Sequence, residues 1–181
     1  DEELAAWIEK IISRQARNVL IDPYANAFNC GPNGRHGYED QPKAGPWIWE
    51  RKYELDSLCH VFLLALRYGE VTGRTAFMDD VFFGAAEKMM EIIETEQQHE
   101  QKSAYRFQRF DCPPSDTLKR EGLGTPVAYT GMSWSGFRPS DDACEYGYFI
   151  PANLFAAVML ERFAPVAEKL RHAELGARAR R

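Results

Sequence analysis

The sequence predicts an all-α protein, and three observations carry that prediction. Apolar residues recur every three to four positions over long stretches. The segments between those stretches are crowded with Gly, Pro and Asn and follow no regular alternation. No glycine-rich strand–loop–helix motif of the nucleotide-binding kind interrupts the pattern.

Taken in order, "ELAAWIEKIISRQARNVL" puts Leu4, Trp7, Ile8, Ile11, Ile12, Gln15 and Val19 at helical spacing and predicts an amphipathic helix over residues 3–20. "IDPYANAFNCGPNGRHGYEDQPKAGP" then breaks every period, with Pro23, Pro32 and Pro42 before Gly45. So long a loop in a compact domain is usually functional or disordered, and the aromatic and Asn content of "DPYANAFN" favours function. "WERKYELDSLCHVFLLALRYGEVTG" predicts a helix from Glu50 to Tyr68, closed near Gly69 and Gly73. "AFMDDVFFGAAEKMMEIIETEQQHEQ" predicts another, with Phe77, Val81, Ala85, Met89 and Ile92 on one face. From Lys102 to Ser140 the chain is irregular, with "YRFQRF" a candidate short strand. A last helical stretch is expected from Asp141 to Arg171, broken or kinked at Pro151 and Pro165. The long polar loops are expected to gather at one end of the helices.

The 181 residues fit one domain with a real core. A hydrophobic fraction of 45% with 27% charged residues is ordinary globular composition. A net charge of −5 gives no basic surface for nucleic acid or an anionic membrane. The basic end "RARR" reads as a helix tail. No run of 18 apolar residues and no signal-peptide pattern predicts a membrane span or export. Cys30, Cys59, Cys112 and Cys144 are widely spaced, which suits free thiols in a reducing compartment such as the cytoplasm. Neither they nor His36, His60, His99 and His172 show metal-ligand spacing, so no metal site is expected.

Three segments have a composition that points to chemistry. "GMSWSGFRPSDDACEYGY" crowds Trp134, Phe137, Arg138, Asp141 and Asp142 between glycines. One reading is a helix start, with Ser140 as N-cap and the two aspartates in the first turn. The other is a cleft wall, in which Trp134 and Phe137 line a site and a carboxyl beside aromatic surface serves as general acid. Both remain open at this level. In "WIWERKYELDSLC", Glu50, Glu54 and Ser57 share a helical face, either as a solvated helix start or as part of a site flanked by Trp47 and Trp49. In "DPYANAFN", Asn26 and Asn29 either bond hydroxyls or shape turns. No P-loop, G-x-S-x-G or H-E-x-x-H motif is present.

These segments, quoted as "LIDPYANAFN", "WERKYELDSLC", "EGLGTP" and "TGMSWSGFRPSDDACEYGYFIPANLF", resemble the metal-independent exo-α-1,6-mannosidases of glycoside hydrolase family 125. The resemblance runs in order over nearly the whole chain. It implies an (α/α)6 toroid of twelve helices with a pocket at one end, built from inter-helix loops. It also implies an inverting exo-mannosidase that removes terminal α-1,6-linked mannose with no metal and no cofactor. By the same resemblance the general acid is an aspartate of "RPSDD", Asp141 as first choice and Asp142 as second. Arg138 and Trp134 are assigned to the sugar pocket or to positioning the acid, and Tyr24, Asn26, Glu54 and Asp56 to the pocket by motif membership. Two departures stand out. An early "WLRDS"-type segment of the family has no match here, and the family's glutamate base lies C-terminal to the region that ends at Arg181.

The resulting expectation is that residues 1–181 form the central portion of one (α/α)6 catalytic domain, truncated at both ends. At about 11–12 residues per helix and with loops this long, roughly five to seven helices fit, about half of the toroid. The expected partner is a mannose-containing oligosaccharide, together with the remainder of the same domain, and neither nucleic acid nor membrane. The rival expectations are an inactive helical module that binds mannosides without turnover, and an (α/α)6 enzyme of different sugar specificity.

Overall fold

A computed structural model describes residues 1–181. It is mostly helical: α1 (Glu2–Ile21), α2 (Leu55–Thr72), α3 (Asp80–Glu96), α4 (His99–Lys102), α5 (Ile150–Lys169) and α6 (Ala173–Ala179). The only sheet pairs β1 (Ala27–Phe28) antiparallel to β2 (Ile48–Glu50). The all-α expectation holds, with boundaries shifted for identifiable reasons.

Helix α1 begins where Asp1 accepts a hydrogen bond from the Glu3 amide at 2.9 Å, with Glu2 and Glu3 in the favourable first turn. Helix α2 starts five residues later than the periodicity suggests. Trp49 and Glu50 are drawn into β2 by pairing with the 27–28 segment, so the chain stays extended until Glu54. It also runs past Gly69 and stops at Gly73, whose φ of 71° is the left-handed cap conformation. Asp79 caps α3, accepting from the Phe82 amide at 3.0 Å. "YRFQRF" forms no strand beyond a single bridge between Gln108 and Gln41.

The largest correction concerns the last helix, which begins at Ile150 rather than Asp141. Pro151 sits in its first turn, where a missing N–H costs nothing, while the helix passes through Pro165 without ending. By length and mean hydropathy (1.2) α5 is apolar enough to cross a membrane, although it holds no unbroken run of 18 apolar residues. Here its Ala152, Ala156, Met159 and Phe163 are buried in the shared core.

Helix α1 packs on α3 and α2, α2 on α5, and α5 on α6. Phe62 of α2, Phe82 and Phe83 of α3 and Phe163 of α5 meet at the centre, with ring centroids 5.5–6.4 Å apart in edge-on and tilted pairs. The short 73–79 connection joins α2 to α3 at one end. The long segments 22–54 and 103–149 lie together at the other end, joined by the Phe137 amide on the Tyr53 carbonyl and by the Tyr105 hydroxyl between the Tyr53 amide and the Arg51 carbonyl. Two helices keep apolar stripes uncovered: Leu4, Trp7 and Ile11 on α1, and Ile150, Leu154 and Val158 on α5.

Candidate functional site

The loop end is organised by a stitch between two segments distant in sequence. The Ser135 hydroxyl accepts from the Leu55 amide at 3.1 Å and donates to the Phe137 carbonyl at 2.9 Å. The Phe137 amide donates to the Tyr53 carbonyl at 2.9 Å. Residues 133–137 thereby supply a donor–acceptor partner to the start of α2, whose first amides would otherwise be unpaired.

Beyond Phe137 the chain makes a tight turn rather than a helix. Phe137 and Ala143 form an antiparallel bridge, the Arg138 amide donates to the Asp142 carbonyl at 2.9 Å, and the Asp141 amide donates to the Arg138 carbonyl at 2.8 Å. Asp141 takes φ 71°, in the left-handed region that Asp tolerates better than most residues. The N-cap reading of Ser140 is therefore overturned, and the two aspartates are not first-turn residues of a helix. Their side chains go to different partners. Asp142 pairs with Arg138 and accepts from the Ser140 hydroxyl at 3.2 Å. Asp141 places Oδ2 3.0 Å from Lys52 Nζ, and its side chain is 56% exposed.

Lys52 is fully buried and belongs to a ladder of charges that the sequence did not announce. Its ammonium also binds Asp116, which Arg109 reaches at 2.9 Å. Arg109 forks onto both Asp40 oxygens, at 2.7 and 2.8 Å, and bonds Glu50 at 2.7 Å. Burial works against the charge on Lys52 and on Arg109, but the carboxylate bonds outweigh it and raise both above their ordinary values. Burial likewise pushes Asp116 upward, and Lys52 and Arg109 overcome that and hold it low.

Of the predicted pocket residues, several turn out to be structural. Trp134 is 1% exposed and Phe137 fully buried, so neither ring lines a cleft. The Trp134 ring is enclosed by glycines. A Cβ on Gly124 would come within 2.7 Å of it, and one on Gly147 within 3.0 Å. Tyr24 donates its hydroxyl to Glu96 at 2.7 Å and stacks on Tyr105, which leaves no free polar edge for a ligand. Asn26 spends its amide on Glu50 at 3.0 Å and its carbonyl on the Lys52 amide at 3.1 Å, and it lines a cavity of about 410 Å³ beside α1 and α2. Asn29 is buried and bonds the carbonyls of Arg35 and Pro46.

Glu54 and Asp56 keep chemical potential. Glu54 is the residue before α2 rather than a helical neighbour of Glu50, and it accepts from the Ser57 hydroxyl at 2.7 Å. Burial, reinforced by the negative fields of Asp56, Asp141 and Glu50, outweighs that bond and lifts its carboxyl to about 7. Asp56 is buried with Oδ1 unpartnered, and burial raises it as well. A cavity of about 500 Å³ opens on the other side of the turn, lined by Arg138, Asp142, Cys144, Glu145, Tyr148 and Thr117. The structure thus brings Asp141 near Glu54 on one side and sets Asp142 with Arg138 on the other. No three His, Cys, Asp or Glu side chains gather as a metal site.

Behind the turn lies a buried network that sequence reading also missed. Glu96 accepts from Tyr24 and from Ser103 at 2.6 Å, and lies 2.5 Å from His99 Nδ1. His99 Nε2 faces the Leu123 carbonyl, an acceptor, at 2.8 Å. The spacing of Glu96 and His99, one helical turn apart, was the available signal.

Comparison with known proteins gives a consistent picture. The profile of the family described as metal-independent alpha-mannosidase (GH125) matches residues 1–181. A solved structure from Streptococcus pneumoniae, described as a metal-independent alpha mannosidase in a non-productive substrate complex with alpha-1,6-mannobiose, is 41% identical with a TM-score of 0.92. It covers 95% of this chain, which spans 41% of that one. The meiotically up-regulated gene 157 protein of Schizosaccharomyces pombe is 30% identical over 97% of this chain, which spans 38% of its length. The six helices and their loop end are accordingly part of an α/α toroid.

Proposed function

Because the chain belongs to the metal-independent α-mannosidase family, glycoside hydrolase family 125, we propose that it carries the acid-bearing wall of an inverting exo-α-1,6-mannosidase. The observation that supports this most directly is the turn 138–142. It presents a half-exposed Asp141 carboxylate and an adjacent Asp142 on a turn backed by the buried rings of Trp134 and Phe137, while Tyr146 and Tyr148 line the cavity beside Asp142.

In the proposed reaction Asp141 protonates the glycosidic oxygen, which departs with the aglycone as water attacks the anomeric carbon of mannose from the opposite face. A glutamate base takes the proton from that water. Inversion requires the two carboxyl groups about 6.5–9.5 Å apart, leaving room for the water. The partner glutamate is proposed to come from outside these 181 residues, a reading supported by the family resemblance. Asp142 is the second candidate for the acid, and Arg138 a contact to sugar hydroxyls. The substrate class is a mannose-terminated oligosaccharide, supported by the α-1,6-mannobiose bound to the S. pneumoniae relative. The remainder of the toroid is the proposed partner of the chain, and neither nucleic acid nor membrane is proposed as one. The four free thiols support a reducing compartment, the cytoplasm.

The alternative is a helical module that binds mannosides without turnover. The deciding experiment is mannose release from α-1,6-mannobiose in EDTA by the full-length wild type, Asp141→Asn and Asp142→Asn, with the first-formed anomer read by NMR. Release by the wild type that disappears in Asp141→Asn, with inverted product, is the expected result. Loss in Asp142→Asn alone moves the acid to Asp142. Binding without release by the wild type supports the module.

A further inference from the structure

Lys52 is a cation with no exposure to solvent, an arrangement that is costly unless every donor is used. Here Nζ donates to the Asp116 carboxylate and to the Asp141 main-chain carbonyl at 2.9 Å, and it forms an ion pair with Asp141 Oδ2 at 3.0 Å. Asp116 is fixed in turn by Arg109, and Arg109 by Asp40 and Glu50. The result is a rigid chain of side chains that ends on the one non-glycine residue of the 138–142 turn with positive φ, a conformation that needs support from its surroundings. Asp141 Oδ1 makes no hydrogen bond within the protein, and the side chain is more than half exposed.

We propose that Lys52 is the positioning residue for Asp141. By holding both the main chain and one carboxyl oxygen, it aims Oδ1 outward as the oxygen that carries and donates the proton. The inference rests on the reading of Asp141 as the general acid. A carboxylic acid can accept a hydrogen bond on one oxygen while donating from the other, so the lysine is compatible with a protonated Asp141. In the reaction the Oδ1–H bond breaks and its proton goes to the glycosidic oxygen. That oxygen keeps the electron pair of the broken C–O bond, and the water that adds to the anomeric carbon gives its own proton to the base. The negative charge left on Asp141 is then shared with Oδ2, where Lys52 already stands.

Two measurements on the full-length protein that contains these residues test this. The first is amide hydrogen exchange across residues 138–143 in the wild type and in Lys52→Met. Exchange at Asp141 is expected to quicken by about tenfold or more, while the core amides of α2 and α3 keep their rates. Equal rates at Asp141 in the two proteins would overturn the proposal. If Lys52→Met does not fold by circular dichroism, Asp116→Asn takes its place. It leaves the lysine but removes its second anion, and is expected to change exchange in the same direction by a smaller factor.

The second measurement uses leaving-group dependence, which a merely structural lysine would not alter. Lys52→Met is expected to lose about a hundredfold or more on α-1,6-mannobiose, whose leaving group needs a proton. It should lose less than about tenfold on 2,4-dinitrophenyl α-mannoside, whose leaving group does not. Equal losses on both substrates in Lys52→Met, with Asp141→Asn still selective, would refute the positioning role. Equal losses in Asp141→Asn itself would refute the acid reading instead. If the wild type shows no turnover, the exchange comparison alone decides.

Discussion

The imidazole of His99 lies flat against the indole of Trp134, with ring centroids 3.7 Å apart and planes 13° apart. This contact ties the buried Glu96–His99 pair to the segment that carries the aspartates, since the Trp134 amide also donates to the Glu96 carbonyl at 3.0 Å. Replacing His99 by Ala removes the stack and leaves the Glu96 carboxyl buried without its closest partner. Unfolding in urea is expected to show a loss of about 3–5 kcal/mol, the scale for breaking one side of a buried pair. A loss under about 1 kcal/mol would mean that Tyr24 and Ser103 satisfy Glu96 by themselves.

Gly147 adopts φ 75°, and a Cβ there would meet Val127 Cγ1 at 2.5 Å as well as the Trp134 ring. Gly147→Ala combines a left-handed alanine with overpacking, and should destabilise by about 2–4 kcal/mol. Gly31 has nothing within 4 Å of its would-be Cβ, so Gly31→Ala is expected to stay within about 0.5 kcal/mol of wild type. Thermal melts of the two variants, run side by side, check the contrast.

Glu54 supplies a pH dependence with a defined sign. Its carboxyl is raised from 4.5 to about 7 in the folded chain, so folding favours the protonated form. The stability it contributes is fully present below pH 4.5 and is lost as pH rises through about 7. Partial solvent access reduces the effect to on the order of 1 kcal/mol. Urea midpoints measured across this window should fall with pH in the wild type and fall less steeply in Glu54→Gln.

Arg138 and Asp142 form an ion pair with both side chains at least one-third exposed. Such pairs stabilise a fold by about 0–1 kcal/mol, so Arg138→Ala should barely move the melting temperature. Its cost should appear in ligand binding. A charged donor to a sugar hydroxyl contributes about 1.5–3 kcal/mol, so the Kd for α-1,6-mannobiose is expected to rise about tenfold or more by titration calorimetry. A fall in stability with unchanged Kd would place Arg138 in the frame rather than in the pocket.

Much of this protein was legible in its sequence. The 3.6-residue recurrence of apolar residues located α1, α2 and α3, because each helix buries one face and the period of that face is local information. The short link at 73–79 and the two long loops put the site at one end. The "RPSDD" segment stood out by its residue types, and the assignment of its aspartates came from the family resemblance. What the sequence could not decide was which side chains face inward. Trp134 and Phe137 look like cleft aromatics beside Arg138, yet glycines at 124 and 147 close around the indole and turn it into core. Asp141 and Asp142 look like a helix start after Ser140, yet the bridge between Phe137 and Ala143 makes them a turn. Lys52 gave no signal, because a buried lysine is defined by its acceptors, and its acceptors are 64 and 89 residues away. Periodicity and motif are properties of neighbours along the chain. Burial, charge pairing and the direction in which a carboxyl points arise only when segments distant in sequence pack together, so these were decided by the tertiary structure.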